Sequence, residues 1–162
     1  MSVQYLTGSS FSHSFEILVF SILFALYVEY ILGHKPCNLC LLQRLPYIAS
    51  IILIVLVIIF KNLEKMSFLL LSLIFLSGLL LAIYHVGIER GLISESFVCG
   101  NNIDASITDK SEILRQLQNK VISCKDITFA IFGISLATIN TFISAFLMTI
   151  TLLIFIKYEK KR

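Results

Sequence analysis

Cys37-Asn38-Leu39-Cys40 is the segment of this chain best suited to chemistry. Two residues between the thiols let a bridge close a tight ring that reduces and reforms readily. Such surroundings lower a thiol's pKa from about 8.5 to as little as about 3.5. Cys40 stands at or just before the amino end of a long apolar run, where free N–H groups and the helix dipole favour a thiolate. Arg44 follows one helical turn later with a permanent positive charge. Its guanidinium can snorkel to a membrane interface. Beside a C-x-x-C it can also stabilise the thiolate and donate to a quinone carbonyl as charge develops there. Pro46 sets a condition on this geometry. If the helix starts there, where proline is comfortable, Cys40 and Arg44 precede it and share only a loop.

Cys99 and Cys124 complete the thiol inventory. A zinc site would recruit all four cysteines, but the second two lie 25 apart rather than in another C-x-x-C. No metal is expected, and a disulfide bracketing the intervening loop suits them better. That bridge serves as a structural staple or, placed near a reactive first pair, as a partner in thiol–disulfide exchange. Among the histidines, His13 and His34 read as solvated or interfacial. His85 is either a satisfied interfacial side chain or a hydrogen-bond donor to a quinone headgroup. The three cannot supply paired haem ligands in a bundle core. Glu29 is expected to reach the headgroups.

The elements that must position these groups follow from composition. Of 162 residues, 57% are hydrophobic and 14% charged, and the mean hydropathy is +0.92. Soluble domains run about 45–50% apolar and about 25% charged, so the excess must face lipid. Four stretches approach the roughly 17–25 apolar residues of a membrane helix: about Phe15–Leu32, Leu45–Phe60, Phe68–Val86 and Phe129–Ile156. The second is short unless it begins nearer Leu41. The fold class is therefore an all-α, four-transmembrane-helix bundle in a single membrane domain. It has a short first outer loop, about Gly33–Arg44, and a long second one, about Gly87–Thr128. Within the latter, Ile107–Cys124 shows helical spacing and either lies flat on the membrane or packs on its own loop. Met1–Ser10 carries no Lys or Arg, so the first apolar segment reads as a retained span rather than a signal peptide.

With four spans, the first and third loops share a face, and every cysteine lies on it. Such pairs persist in oxidising compartments such as the periplasm. Charge alone does not orient the chain. Lys61, Lys65, Lys157, Lys160, Lys161 and Arg162 lie on one face, against Lys35, Arg44, Arg90, Lys110, Arg115, Lys120 and Lys125 on the other. The dense Lys157–Arg162 cluster favours cytoplasmic termini, and the cysteines break the tie. The net charge of +3 is small and scattered, so nucleic acid is not an expected partner.

Four spans, Pro36-Cys37-x-x-Cys40-x-x-Gln43-Arg44 and a later cysteine pair resemble the disulfide bond formation protein B (DsbB) family. Tyr84-His85-Val86-Gly87-Ile88-Glu89 and Phe132-Gly133-Ile134-Ser135 match its usual phrasing, and the likeness spans roughly Phe15 to Ile156. The vitamin K epoxide reductase family also couples thiols to quinone, but its C-x-x-C follows the loop pair. The resemblance implies an inner-membrane oxidoreductase with redox-active disulfides Cys37–Cys40 and Cys99–Cys124. It implies that Cys99 is attacked by a periplasmic DsbA-like dithiol partner and that Cys124 relays electrons through Cys37. Cys40 would be the thiolate contacting a membrane quinone, ubiquinone or menaquinone, with Arg44 and His85 as quinone ligands. A quinone is needed because DsbA, near about −120 mV, is itself a strong oxidant. The competing readings are a structural subunit braced by disulfides and an outward reductant carrier. The carrier requires a cysteine on the opposite face, and the sequence has none there.

Overall fold

In a computed structural model the described residues are 3–60, 64–95, 98–99, 123–127 and 129–160. Helix α1 (Val3–Tyr30) is followed by a one-turn helix α2 (Asn38–Leu42), then α3 (Arg44–Ile59) and α4 (Glu64–Glu89). A two-stranded hairpin, β1 (Ala130–Ile131) and β2 (Ile134–Ser135), leads into α5 (Leu136–Lys160). The long, apolar parts of these helices, Ser12–Tyr30, Asn38–Ile59, Met66–Glu89 and Leu136–Lys157, are each able to cross a membrane. The four-helix, all-α class expected from composition is the class observed. Some hydroxyls within the spans donate back to the preceding turn, as Ser21 does to Ile17 O and Thr151 to Leu147 O (2.7 and 2.8 Å), which keeps them paired in an apolar setting.

Two helix starts differ from expectation. The second span begins at Asn38 rather than Leu45, and its helix is interrupted at Gln43. Pro46 sits in the first turn of α3, where its missing N–H breaks no intrahelical bond of that helix. The interruption falls three residues before Pro46, within reach of the i−4 bond a proline cannot make. The fourth helix begins at Leu136, not Phe129, because the chain first pairs antiparallel, Ala130 with Ser135 and Ile131 with Ile134. Phe132 and Gly133 make the turn, both at positive φ (51° and 80°). The amphipathic segment Ile107–Cys124 lies outside the described residues, except for its last two.

Packing between the helices is uneven. Helix α4 runs along α5 and against α3, whereas α1 leans on α3 and touches α5 only lightly. The main core joins Leu18, Ile54, Val57, Phe68, Phe75 and Leu147, all buried. Phe20, Ile58, Leu80, Phe142 and Phe146 point outward, as lipid-facing side chains do. Gly78 lets α4 approach α3 closely: a Cβ there would stand 3.3 Å from Pro46 Cβ and 3.7 Å from Ser144 Oγ. Replacing Gly78 by Val should therefore destabilise the bundle by about 1–3 kcal/mol, the usual cost of overpacking. Thermal unfolding in detergent checks this, and an unchanged midpoint would contradict the close approach.

Candidate active site

The site forms where the loop ends of α1, α3, α4 and α5 meet. Gly33, at φ +72°, turns the chain out of α1 with His34 N–H donating to Val28 O at 3.2 Å. Pro36 then delivers Cys37 as the N-cap of α2. The Cys40 N–H donates to Cys37 Sγ at 3.2 Å, so the free donors of this helix end point at Cys37. Sequence reasoning assigned that benefit to Cys40; it falls on Cys37 because the helix starts at Asn38. Cys37 and Cys40 are free thiols with sulfurs 2.9 Å apart, Cys37 buried and Cys40 half-buried. Cys99 and Cys124 are bonded to each other, as expected. Both couples share one buried cluster with Leu39 and Ile88, flanked by Tyr84 and Val98. Asn38 Nδ2 donating to Val98 O at 2.8 Å and the His34 ring against Phe129 tie the first loop to the last.

A chain of hydrogen bonds crosses three helices and ends on Cys37. Gln43 Nε2 lies 3.2 Å from His85 Nδ1 and 3.4 Å from Leu81 O. A carbonyl can only accept, so the Gln43 amide turns its NH2 toward both, and His85 Nδ1 is an acceptor. His85 Nε2 then carries the hydrogen. It faces Cys37 Sγ at 3.6 Å and Glu89 Oε1 at 3.8 Å. On its other side, Gln43 Oε1 accepts from Asn140 Nδ2 at 3.0 Å, and Asn140 Oδ1 accepts from Tyr47 O–H. Each donor in the series Tyr47, Asn140, Gln43, His85 points toward the sulfur. Aligned in this way the bonds polarise one another in a low-dielectric interior and favour negative charge at the end. Glu89 accepts from Ser135 Oγ at 2.5 Å, which ties the site to β2.

These contacts hold the Cys37 thiol well below the ordinary thiol range. The hydrogen bond from Cys40 contributes most, burial opposes it, and His85 adds a hydrogen bond. A folded pKa below the unfolded one makes the reduced protein most stable, through this group, above the unfolded thiol pKa of about 8.5. That contribution is lost as the pH falls through the folded value.

Cys40 faces a different space. A cleft of about 370 Å³ lies between α1 and α5, lined by Phe20, Phe24, Val28, Ile143 and other apolar residues, with Cys40, Arg44, Glu29 and Gln43 at its polar end. Arg44 Nη1 pairs with Glu29 Oε2 at 2.7 Å, both about one-fifth exposed. Among the described residues, Arg44 Nε is buried without a partner. An apolar slot closed by a thiol and an unused guanidinium donor suits a flat, ring-shaped ligand bearing carbonyl oxygens. His85 does not line this cleft. Its ring is 2% exposed, and its nitrogens are directed at Gln43, Cys37 and Glu89. The geometry thus gives His85 to Cys37 rather than to a ligand of the cleft.

The sequence-based zinc set of four cysteines does not form, since Cys99 and Cys124 are bonded to each other. Cys37, Cys40 and His85 do gather their donor atoms within 4.8 Å. The 2.9 Å between the two sulfurs is shorter than the roughly 3.8 Å that two tetrahedral zinc–thiolate bonds of about 2.3 Å require. Sequence reasoning missed three contributors. Glu29 was assigned to headgroups, and Asn140 and Tyr47 were not singled out. A polar side chain inside an apolar span was the available signal.

Fold and site together define a four-span membrane protein with two sulfur couples at one end of its bundle, one of them opening on an apolar cleft. A family model described as disulfide bond formation protein DsbB matches residues 10–154, and the chain belongs to that family of disulfide-forming oxidoreductases. It is therefore a multi-pass membrane protein. It is also 31% identical over 130 residues to the uncharacterized protein RP370 of Rickettsia prowazekii (strain Madrid E), covering 79% of this chain and 73% of that one. No solved structure matches it significantly.

The hydrogen-bond chain makes a graded prediction. In the reduced protein, iodoacetamide labelling of Cys37, read by peptide mass spectrometry, should move to higher pH in Cys40→Ala, less in His85→Phe and less again in Asn140→Leu. For His85→Phe the labelling rate at pH values below the Cys37 midpoint should fall on the order of tenfold, the change that goes with one pK unit. A folded His85→Phe protein with the parent profile would remove the ring from this role.

Proposed function

We propose that this chain oxidises a DsbA-like dithiol partner and passes the electrons to a membrane quinone, sustaining disulfide bond formation. The observation that carries the reading is that both sulfur couples lie in one buried cluster, with Cys40 opening on the cleft beside Arg44. The sequence of events is the one that membership of the family implies. A partner thiolate attacks Cys99 and releases Cys124 as a thiolate. The partner's second thiol then resolves the mixed bond, leaving Cys99 and Cys124 reduced. In its oxidised form the first couple is a Cys37–Cys40 disulfide. Cys124 attacks Cys37 of that bond, a Cys37–Cys124 bond forms, and Cys40 leaves as a thiolate carrying the electron pair.

At that moment Cys40 has lost its sulfur neighbour and stands in the cleft near the fixed charge of Arg44. The residues suited to hold a quinone there are the apolar walls from α1 and α5, with Arg44 as donor to a carbonyl oxygen. When bound, a quinone supplies the acceptor for two electrons and two protons. His85 supports the other sulfur: its Nε2–H steadies Cys37 as a leaving thiolate when the loop couple is restored. Cys99 and Cys124 are 0% and 1% exposed, so their segment must open before a partner reaches Cys99. The reading puts the cysteine end in the periplasm and the termini, with Lys157 and Lys160, in the cytoplasm of a bacterial inner membrane.

The test is anaerobic. Purified oxidised protein, a reduced DsbA-type partner and a soluble quinone are mixed and quinone absorbance is followed. Turnover is expected, with none in Cys37→Ser or Cys40→Ser. Arg44→Gln should raise the KM for quinone on the order of tenfold or more, as loss of a charge-assisted hydrogen bond does. No quinone loss with the parent protein would end the proposal.

A further inference from the structure

The hairpin before α5 displays a phenyl ring at a backbone position that disfavours it. Phe132 has φ +51° and is fully exposed, and Gly133 follows at φ +80°. Two-residue turns with both φ positive favour Asn-Gly, because a bulky L side chain clashes there while Asn and Gly do not. A strained, solvent-directed aromatic gains nothing inside the fold. Its use lies outside.

We propose that the Phe132 tip inserts into the headgroup–acyl boundary of the bilayer and fixes the mouth of the cleft at that level. Three observations favour lipid as the occupant over a protein partner. From Ile127 to Leu136 the chain carries no charged residue, and Ile127 and Ile134 are about half exposed. The disulfide side, by contrast, is polar: Glu95 accepts from the Lys125 N–H at 2.9 Å and from Ser123. The span of α5 starts at Leu136, four residues beyond the tip, so the turn sits at the end of a membrane helix. Its neighbour Ile131 and the span's first residue, Leu136, both line the cleft. A ring anchored in lipid beside them keeps that entrance facing the acyl region. The link to quinone entry rests on the function proposed above; the insertion itself does not.

The chain has no tryptophan, so Phe132→Trp supplies a single tryptophan at the tip. In phospholipid vesicles its emission should be shifted to the blue of tryptophan in water. It should be quenched more by a nitroxide near the headgroup end of the acyl chain than by aqueous acrylamide. Water-like emission open to acrylamide, or shielding that appears only on adding the DsbA-type partner, would overturn insertion. Phe132→Asn, which suits the turn, should keep the thermal midpoint and raise the quinone KM several-fold in vesicles at unchanged kcat. A raised KM for the partner dithiol instead would assign the ring to protein docking.

Discussion

A sulfur that must carry negative charge inside an apolar bundle needs donors fixed around it, and the rest of this structure is arranged around that requirement. Cys37 receives them from three directions: the amino end of α2, the Cys40 thiol and the His85 ring. The His85 ring among them is buried, so water does not substitute for it. Behind His85, Gln43 sets the tautomer, and Asn140 sets which way Gln43 turns. Reversing any amide in that series would set carbonyl against carbonyl or N–H against N–H, and in low dielectric such a mismatch is costly. The orientation of each group is thus fixed by the next.

The same constraint separates the two thiols of the C-x-x-C. Cys37 is the buried member, in the same cluster as the loop couple and supported by His85. Cys40 is the half-buried member, opening on a cleft that exists because α1 packs lightly on α5. Arg44 is held at that opening by Glu29, which neutralises the guanidinium while leaving Nε free. A cation alone in this apolar setting would be expensive.

Much of this was legible before any coordinates. The span number follows from apolar length, and Cys37, Cys40 and Arg44 announce themselves by type and spacing. The helix starts did not. Sulfur is not among the usual N-cap acceptors, so Cys37 gave no cue that α2 begins beside it. The apolar run through Ile131 and Ile134 hides a hairpin that hydropathy cannot tell from helix, although Gly133 marked the turn. His85 was found as a residue, but its contact with Cys37 was not foreseen. Its partner Gln43 lies 42 positions away, and Gln43 in turn meets Asn140 across 97, so only the packing of α3, α4 and α5 brings them together.

The central claim is that Cys37 and Cys124 stand near enough, at one end of the bundle, to exchange a bond. A Cys40→Ala/Cys99→Ala double variant leaves those two as the only thiols. Mild oxidation in membranes followed by peptide mass spectrometry should recover an intramolecular Cys37–Cys124 disulfide in nearly all molecules. Two thiols that stay free, or that bridge only between molecules, would contradict the account.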